Sequence, residues 1–120
     1  MLYDQLGGEA FFEELVKNFY AGVAEDPILR PLYPEDNLQP AARRLKLFLM
    51  QYFGGPTTYS EERGHPRLRM RHMGFAVGEA EQAAWLDHMR RSLSMAGLAP
   101  ELEEPVWTYF REAAQFLRNR

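Results

Sequence analysis

The side chains best suited to metal or proton chemistry in this chain are its three histidines, and their surroundings differ. His88 follows Trp85 by one helical turn and falls on the flank of an apolar stripe, where it reads as a solvated side chain. His65 precedes Pro66, which biases it away from the right-handed helical region, so it reads as a turn cap or a local hydrogen-bonding group. His72 is set among Leu68, Met70, Met73 and Phe75, with Arg67, Arg69 and Arg71 interleaved.

Apolar side chains mixed with guanidinium groups around one imidazole suit a flat, greasy ligand with anionic edges. Haem is such a ligand: its ring wants apolar walls, its iron a neutral imidazole, its propionates arginine. On spacing alone a lone histidine in a mixed loop is more often structural than ligating, so both readings of His72 stand at this point. Tyr20, Tyr33 and Trp85 carry the same ambiguity. Each is a large packing residue whose O–H or N–H needs a partner when buried, and the three together could surround a small polar ligand. Other chemistries lack their residues. Without cysteine there is no disulfide, thiolate metal site, covalent haem attachment or cysteine nucleophile. No phosphate-binding glycine loop, H-E-x-x-H or G-x-S-x-G motif is present.

The elements that must position these residues are helical. Phe12, Leu15, Val16, Phe19, Tyr20 and Val23 recur at helical spacing, which predicts a helix from about Gly8 to Ala24 that ends before Asp26-Pro27. Ala41, Leu45, Phe48, Leu49 and Tyr52 mark a second, with Pro40 in its first turn and Gly54-Gly55-Pro56 as its stop. Trp85, Leu86, Met89, Leu93 and Ala96 mark a third, over Glu79 to Ala96. Val106, Tyr109, Phe110, Ala113 and Leu117 mark a fourth, over Glu101 to Arg118, whose main body is expected to begin at Pro105 after a looser turn. Between the second and third, Gly54 to Phe75 reads as a loop with one or two short helices, one near Leu68 to His72. Long irregular segments in compact domains are usually functional or disordered, and the histidines and arginines here argue for function.

The fold class is therefore all-α. A chain of 120 residues makes one domain, over 1–120, and its 46% hydrophobic and 26% charged residues are those of an ordinary globular protein. The net charge of −3 argues against a nucleic-acid partner, which would call for a basic face. No basic, apolar leader opens the chain and no apolar run is long enough to span a membrane, so a cytoplasmic protein is expected.

The pieces Phe19-Tyr20, Leu32-Tyr33-Pro34, Gln51-Tyr52-Phe53-Gly54-Gly55-Pro56, Tyr59-Ser60-Glu61, Gly64-His65-Pro66-Arg67-Leu68-Arg69-Met70-Arg71-His72 and Ala84-Trp85-Leu86 together resemble the truncated haemoglobins of group II (O-type). The resemblance runs from about Leu2 into the last helix. It implies a two-over-two helical sandwich around non-covalent haem b, with His72 as the iron ligand. It puts Tyr20, Tyr33 and Trp85 at the distal face with Ala41, Leu45 and Phe48. Ala41 stands where longer globins carry a distal histidine. Arg44 and Arg71 match positions near the propionates, and Tyr59, Phe75 and Met89 complete the expected haem contacts. Phe53 stands where the family often has tryptophan. Met73-Gly74-Phe75 replaces a frequent proline-containing sequence, and its glycine loosens the turn after the ligand.

What the resemblance implies for function is reversible binding of O2 and other diatomic gases (NO, CO), as a carrier or store. A redox enzyme, oxidising nitric oxide or reducing peroxide with an outside reductase, is the alternative. A ligand sensor is the third, least favoured because 120 residues leave no output segment beside the domain. A homodimer is left open, and a haem-free bundle is the plain alternative to all three.

Overall fold

The computed structural model describes residues 1–72, 74 and 76–120, and all of their side chains except that of Arg69. Among these residues the regular structure is helical: α1 (Leu2–Leu6), α2 (Gly8–Val23), a 3-10 turn (Arg30–Leu32), α3 (Gln39–Tyr52), α4 (Thr58–Arg63), α5 (Leu68–Arg71), α6 (Glu79–Met95) and α7 (Pro100–Leu117). The pair α2–α3 packs on the pair α6–α7, two helices over two, chiefly through α2 and α6. No helix among the described residues is long and apolar enough to cross a membrane.

The periodicity of α2 explains its central place. Phe12, Leu15, Val16, Phe19, Tyr20 and Val23 are all buried, and they meet Ala41 and Leu49 of α3, Met89 and Leu93 of α6, and Val106 and Phe110 of α7 in one core. Fully burying a large apolar side chain contributes about 1.5–3 kcal/mol, so this stripe is what holds the two layers together. Of the residues expected on the α6 stripe, Ala96 is exposed and Ser92 is buried instead, its hydroxyl satisfied by the His88 carbonyl at 2.9 Å.

Two boundaries differ from expectation. The short α1 was not foreseen; Gly7 ends it in the left-handed region (φ 116°), and the Tyr3 N–H donates to the Phe53 carbonyl at 2.9 Å, tying α1 to the end of α3. α7 begins at Pro100 and runs unbroken through Pro105. The Ala99 carbonyl accepts the Leu102 and Glu103 N–H groups, each at 2.9 Å, so the first turn is closed before the missing N–H of Pro105 costs one rung.

The long middle segment folds back on both layers. The Gln51 side chain brackets Ser60, accepting its N–H at 3.0 Å and donating to its hydroxyl at 2.8 Å. Arg43 meets the Glu62 carboxylate with both nitrogens, at 2.6 and 2.7 Å. These contacts hang α4 on α3, while α5 rests against α7 and carries the chain under the helical pair.

Candidate functional site

Where the middle segment crosses the layers it leaves a cavity of about 590 Å³, within the usual size of a cofactor pocket. Its walls are mostly apolar: Leu45, Phe48 and Leu49 of α3, Leu68 of α5, Phe110, Ala113 and Leu117 of α7. Tyr20, Tyr33, Ala41, Arg44, Tyr59, Arg71, His72 and Trp85 line it too, so the structure gathers these eight expected site residues around one space. Met89 lies deeper. It is wholly buried in the core one turn beyond Trp85 and is not part of the cavity wall. Phe75 lies outside the described residues.

His72 is placed by its own local chain. Its Nδ1 lies 2.7 Å from the Leu68 carbonyl, which also accepts the His72 backbone N–H at 3.1 Å. An imidazole bonded to a carbonyl carries its proton on Nδ1, which in the neutral ring leaves the Nε2 lone pair as the ligating one. A second tie comes from the far end of the chain. The Asn119 N–H donates to the Val77 carbonyl at 2.8 Å, the Val77 N–H returns a bond to Asn119 Oδ1 at 2.9 Å, and Asn119 Nδ2 reaches the His72 carbonyl at 3.4 Å.

The two arginines expected at the propionates are otherwise engaged. Arg71 donates through Nε to the Pro66 carbonyl at 2.7 Å and through Nη2 to the Arg63 and His65 carbonyls at 3.0 and 3.4 Å. It clamps the turn before α5, in which Arg67 holds a left-handed φ of 44° and bonds His65 Nδ1 at 3.2 Å. Such a backbone costs about 1–3 kcal/mol unless its surroundings hold it, and the Arg71 clamp is that support. Arg44 is paired with Glu35 at 3.0 Å. Its own backbone N–H and then Arg44 hold the Glu35 carboxyl below the usual range. Arg63, which sequence reasoning left unassigned, lines the cavity, is exposed, and makes no ion pair among the described residues.

The other polar feature is a tyrosine pair. The Tyr20 hydroxyl donates to the Tyr33 oxygen at 3.4 Å, with the rings edge to face. Burial pushes the Tyr20 phenol well above its ordinary range, with the neighbouring Tyr33 adding to it, and burial raises the Tyr33 phenol as well. Both therefore stay protonated, and with Tyr20 donating, Tyr33 keeps a proton to offer elsewhere. Tyr33 is aimed by Arg30, whose guanidinium donates to the Tyr33 and Glu35 carbonyls, each at 2.7 Å. Trp85 stands between Phe19 and Phe110, with centroids 5.4 and 5.7 Å away.

An apolar cavity with one tautomer-fixed imidazole and a few hydroxyl and N–H groups fits a haem. Residues 1–119 match the bacterial-like globin family. The chain belongs to that family. This globin is 40% identical over 113 residues to the group 2 truncated hemoglobin YjbI of Bacillus subtilis, a match covering 94% of this chain and 85% of the relative. It superposes on a thermostable hemoglobin of the actinobacterium Thermobifida fusca with a TM-score of 0.97 and 52% identity, over 98% of this chain and 96% of that one. A truncated oxygen-avid haemoglobin from Bacillus subtilis gives a TM-score of 0.92 at 38% identity, over 98% of both chains. The two-over-two fold is that of these truncated globins, and the family implies a haem that binds small ligands.

His65 and His88 stand apart from the cavity wall. His65 serves its own turn, as expected. His88 does not match its expected solvated role: its Nε2 bonds Asp26 Oδ2 at 2.6 Å, and both side chains are largely covered. Glu35, Leu68, Val77, Gln82 and Leu117 line the cavity without having been singled out as contacts. Leu68 had a signal in its place four residues before His72, and Leu117 in the apolar stripe of the last helix.

Proposed function

We propose that this globin holds non-covalent haem b with His72 as the axial ligand and binds O2 and other diatomic gases reversibly. The observation that carries the reading is the His72 Nδ1 bond to the Leu68 carbonyl on the wall of an apolar cavity, which leaves Nε2 as the ligating nitrogen. When bound, haem supplies an iron at which a diatomic gas is held.

The chain's own residues supply the rest. Leu45, Phe48 and Leu117 exclude water from the ring. Ala41, buried on the cavity wall, can neither donate nor ligate, so hydrogen bonding passes to the aromatic groups. Tyr33 and Trp85 donate to a ligand that draws negative charge, and Tyr20 holds the Tyr33 oxygen so that its proton turns into the cavity. Arg63 and Arg44 are the cations at hand for the propionates, Arg44 at the cost of its bond to Glu35.

The presence of more than one donor favours slow O2 release, and with it a redox or sensing role over simple delivery. The oxygen-avid relative points the same way. The O2 dissociation rate, measured beside turnover with a reductase on nitric oxide or peroxide, separates these uses. The axial assignment is tested by His72→Gly. It should lose tight haem binding or regain its spectrum with added imidazole, while His65→Ala keeps a normal Soret band. An unchanged ferrous spectrum and haem retention in His72→Gly would show that another group holds the iron.

A further inference from the structure

We propose that the His88–Asp26 pair is a positioning device that sets Trp85 and Tyr33 at their working separation across the ligand cavity. It rests on the reading that these two groups donate to the bound gas.

The pair links the two elements that carry the donors. His88 lies on α6, three residues and so nearly one turn beyond Trp85. Phe19 of α2 meets both rings edge-on, with centroids 5.4 Å from Trp85 and 6.5 Å from His88. Asp26 lies just past the end of α2, where the chain turns toward Tyr33. The His88 Nε2–H donates to Asp26 Oδ2 at 2.6 Å. The other oxygen, Oδ1, accepts the Ile28 N–H at 2.7 Å and the Leu29 N–H at 3.4 Å. The Asp26 carbonyl accepts the Arg30 N–H at 2.8 Å, and the Tyr33 N–H closes on the Arg30 carbonyl at 3.1 Å. An unbroken path of hydrogen bonds and short turns therefore runs from the helix of Trp85 to Tyr33.

Three features separate this pair from an ordinary surface ion pair. Both side chains are mostly covered, at 14% and 13% exposure, whereas the Arg91–Asp87 pair on the same helix is 69% and 54% exposed. Both carboxylate oxygens of Asp26 are in use, so the group cannot swing without opening the turn. A Cβ at Gly22 would overlap the His88 ring, so α2 is shaped to let the imidazole lie against its backbone. A covered, doubly bonded carboxylate and a ring held against a helix leave little freedom at either end.

The test uses haem-loaded full-length protein and the dissociation rates of O2 and CO. The variants are His88→Leu, which removes the donor, and His88→Gln, whose side-chain amide can reach the Asp26 oxygen. Both are also made in the Trp85→Phe/Tyr33→Phe double background. His88→Leu should raise the O2 rate about three- to ten-fold and leave the CO rate within about two-fold, because only O2 takes up substantial negative charge. His88→Gln should restore the parent O2 rate to within about two-fold. In that double background His88→Leu should add less than about two-fold, since a positioning group has nothing left to position. Asp26→Asn should repeat the His88→Leu result and serves if that variant folds poorly. The C–O stretching frequency, which senses nearby donors, should shift in His88→Leu and return in His88→Gln.

If Trp85→Phe raises the O2 rate while His88→Leu and Asp26→Asn do not, the positioning role is wrong and the donor role of Trp85 stands. A full additional effect of His88→Leu in the Trp85→Phe/Tyr33→Phe background would also overturn it. Failure of Trp85→Phe itself to change the O2 rate would instead remove the underlying reading.

Discussion

Tyr20 and Tyr33 are unequal partners, and removing each hydroxyl in turn should reveal the order. If Tyr33 donates to the bound gas as proposed, Tyr33→Phe deletes an interaction worth about 1.5–3 kcal/mol, so the O2 dissociation rate should rise at least about ten-fold. Tyr20→Phe deletes only the bond that Tyr20 gives to Tyr33. At 3.4 Å that bond is long against the usual O–H···O distance of about 2.7–2.8 Å, which puts it near the bottom of the usual range, about 0.5 kcal/mol. Tyr20→Phe should therefore raise the rate about two-fold. The double variant should match Tyr33→Phe alone, because Tyr20 acts only through its neighbour. Stopped-flow displacement of O2, with CO dissociation as the control for widened access, measures all three. Since burial raises both phenols, the parent rate should be flat from about pH 6 to about pH 9. A larger effect from Tyr20→Phe than from Tyr33→Phe would reverse the assignment. Rates within about two-fold for both single variants would leave a plain carrier with an aromatic-lined pocket.

Arg71→Gln should speed haem transfer to an apo-globin acceptor with little salt dependence, because its bonds go to neutral carbonyls; the acceleration in Arg63→Gln and Arg44→Gln should shrink as salt rises. Gly22→Ala should lower thermal stability. Overpacking against His88 costs about 1–3 kcal/mol, while the better helix propensity of alanine offsets up to about 1 kcal/mol, and a variant that melts higher than the parent would refute the close approach. The His88 bond, then the Ile28 and Leu29 N–H groups, hold the Asp26 carboxyl below its usual range. Its contribution is thus present above the unfolded carboxyl value and lost as pH falls through the depressed one. Asp26→Asn should be less stable than the parent near neutral pH, and the gap should close below about pH 4 in denaturant titrations.

The long helices could be read from the chain because their apolar residues repeat at 3.6-residue spacing for about three turns, as in α2. α1, with five residues, is too short to carry a period. The extent of α7 was legible, but its main body was expected only from Pro105 because a proline was read as a boundary, whereas the helix tolerates it once its first turn is closed. That His72, Tyr20, Tyr33 and Trp85 share one cavity was legible through the motif blocks that carry the family resemblance, not through spacing. The engagements of Arg71 and Arg44 were not, because guanidinium groups choose their acceptors only after the chain has folded. The role of His88 was least legible of all: its partner lies 62 residues away in sequence, and nothing in the local pattern around either residue points to the other.

The tie between Asn119 and the segment behind His72 has a temporal side. The two residues are 47 apart in sequence. Chains grow from the N-terminus at about 5–20 residues per second, so roughly 2–9 seconds separate the making of His72 from the making of its strap. During that interval α2, α3 and the imidazole already exist, but Val77 lacks both of the bonds that Asn119 supplies, and the α7 wall of the cavity is missing. A nascent chain can therefore offer the histidine long before it can hold a cofactor firmly. Tight loading belongs to the time after Asn119 has been made, and it is this residue, far from His72 in sequence, that sets the clock.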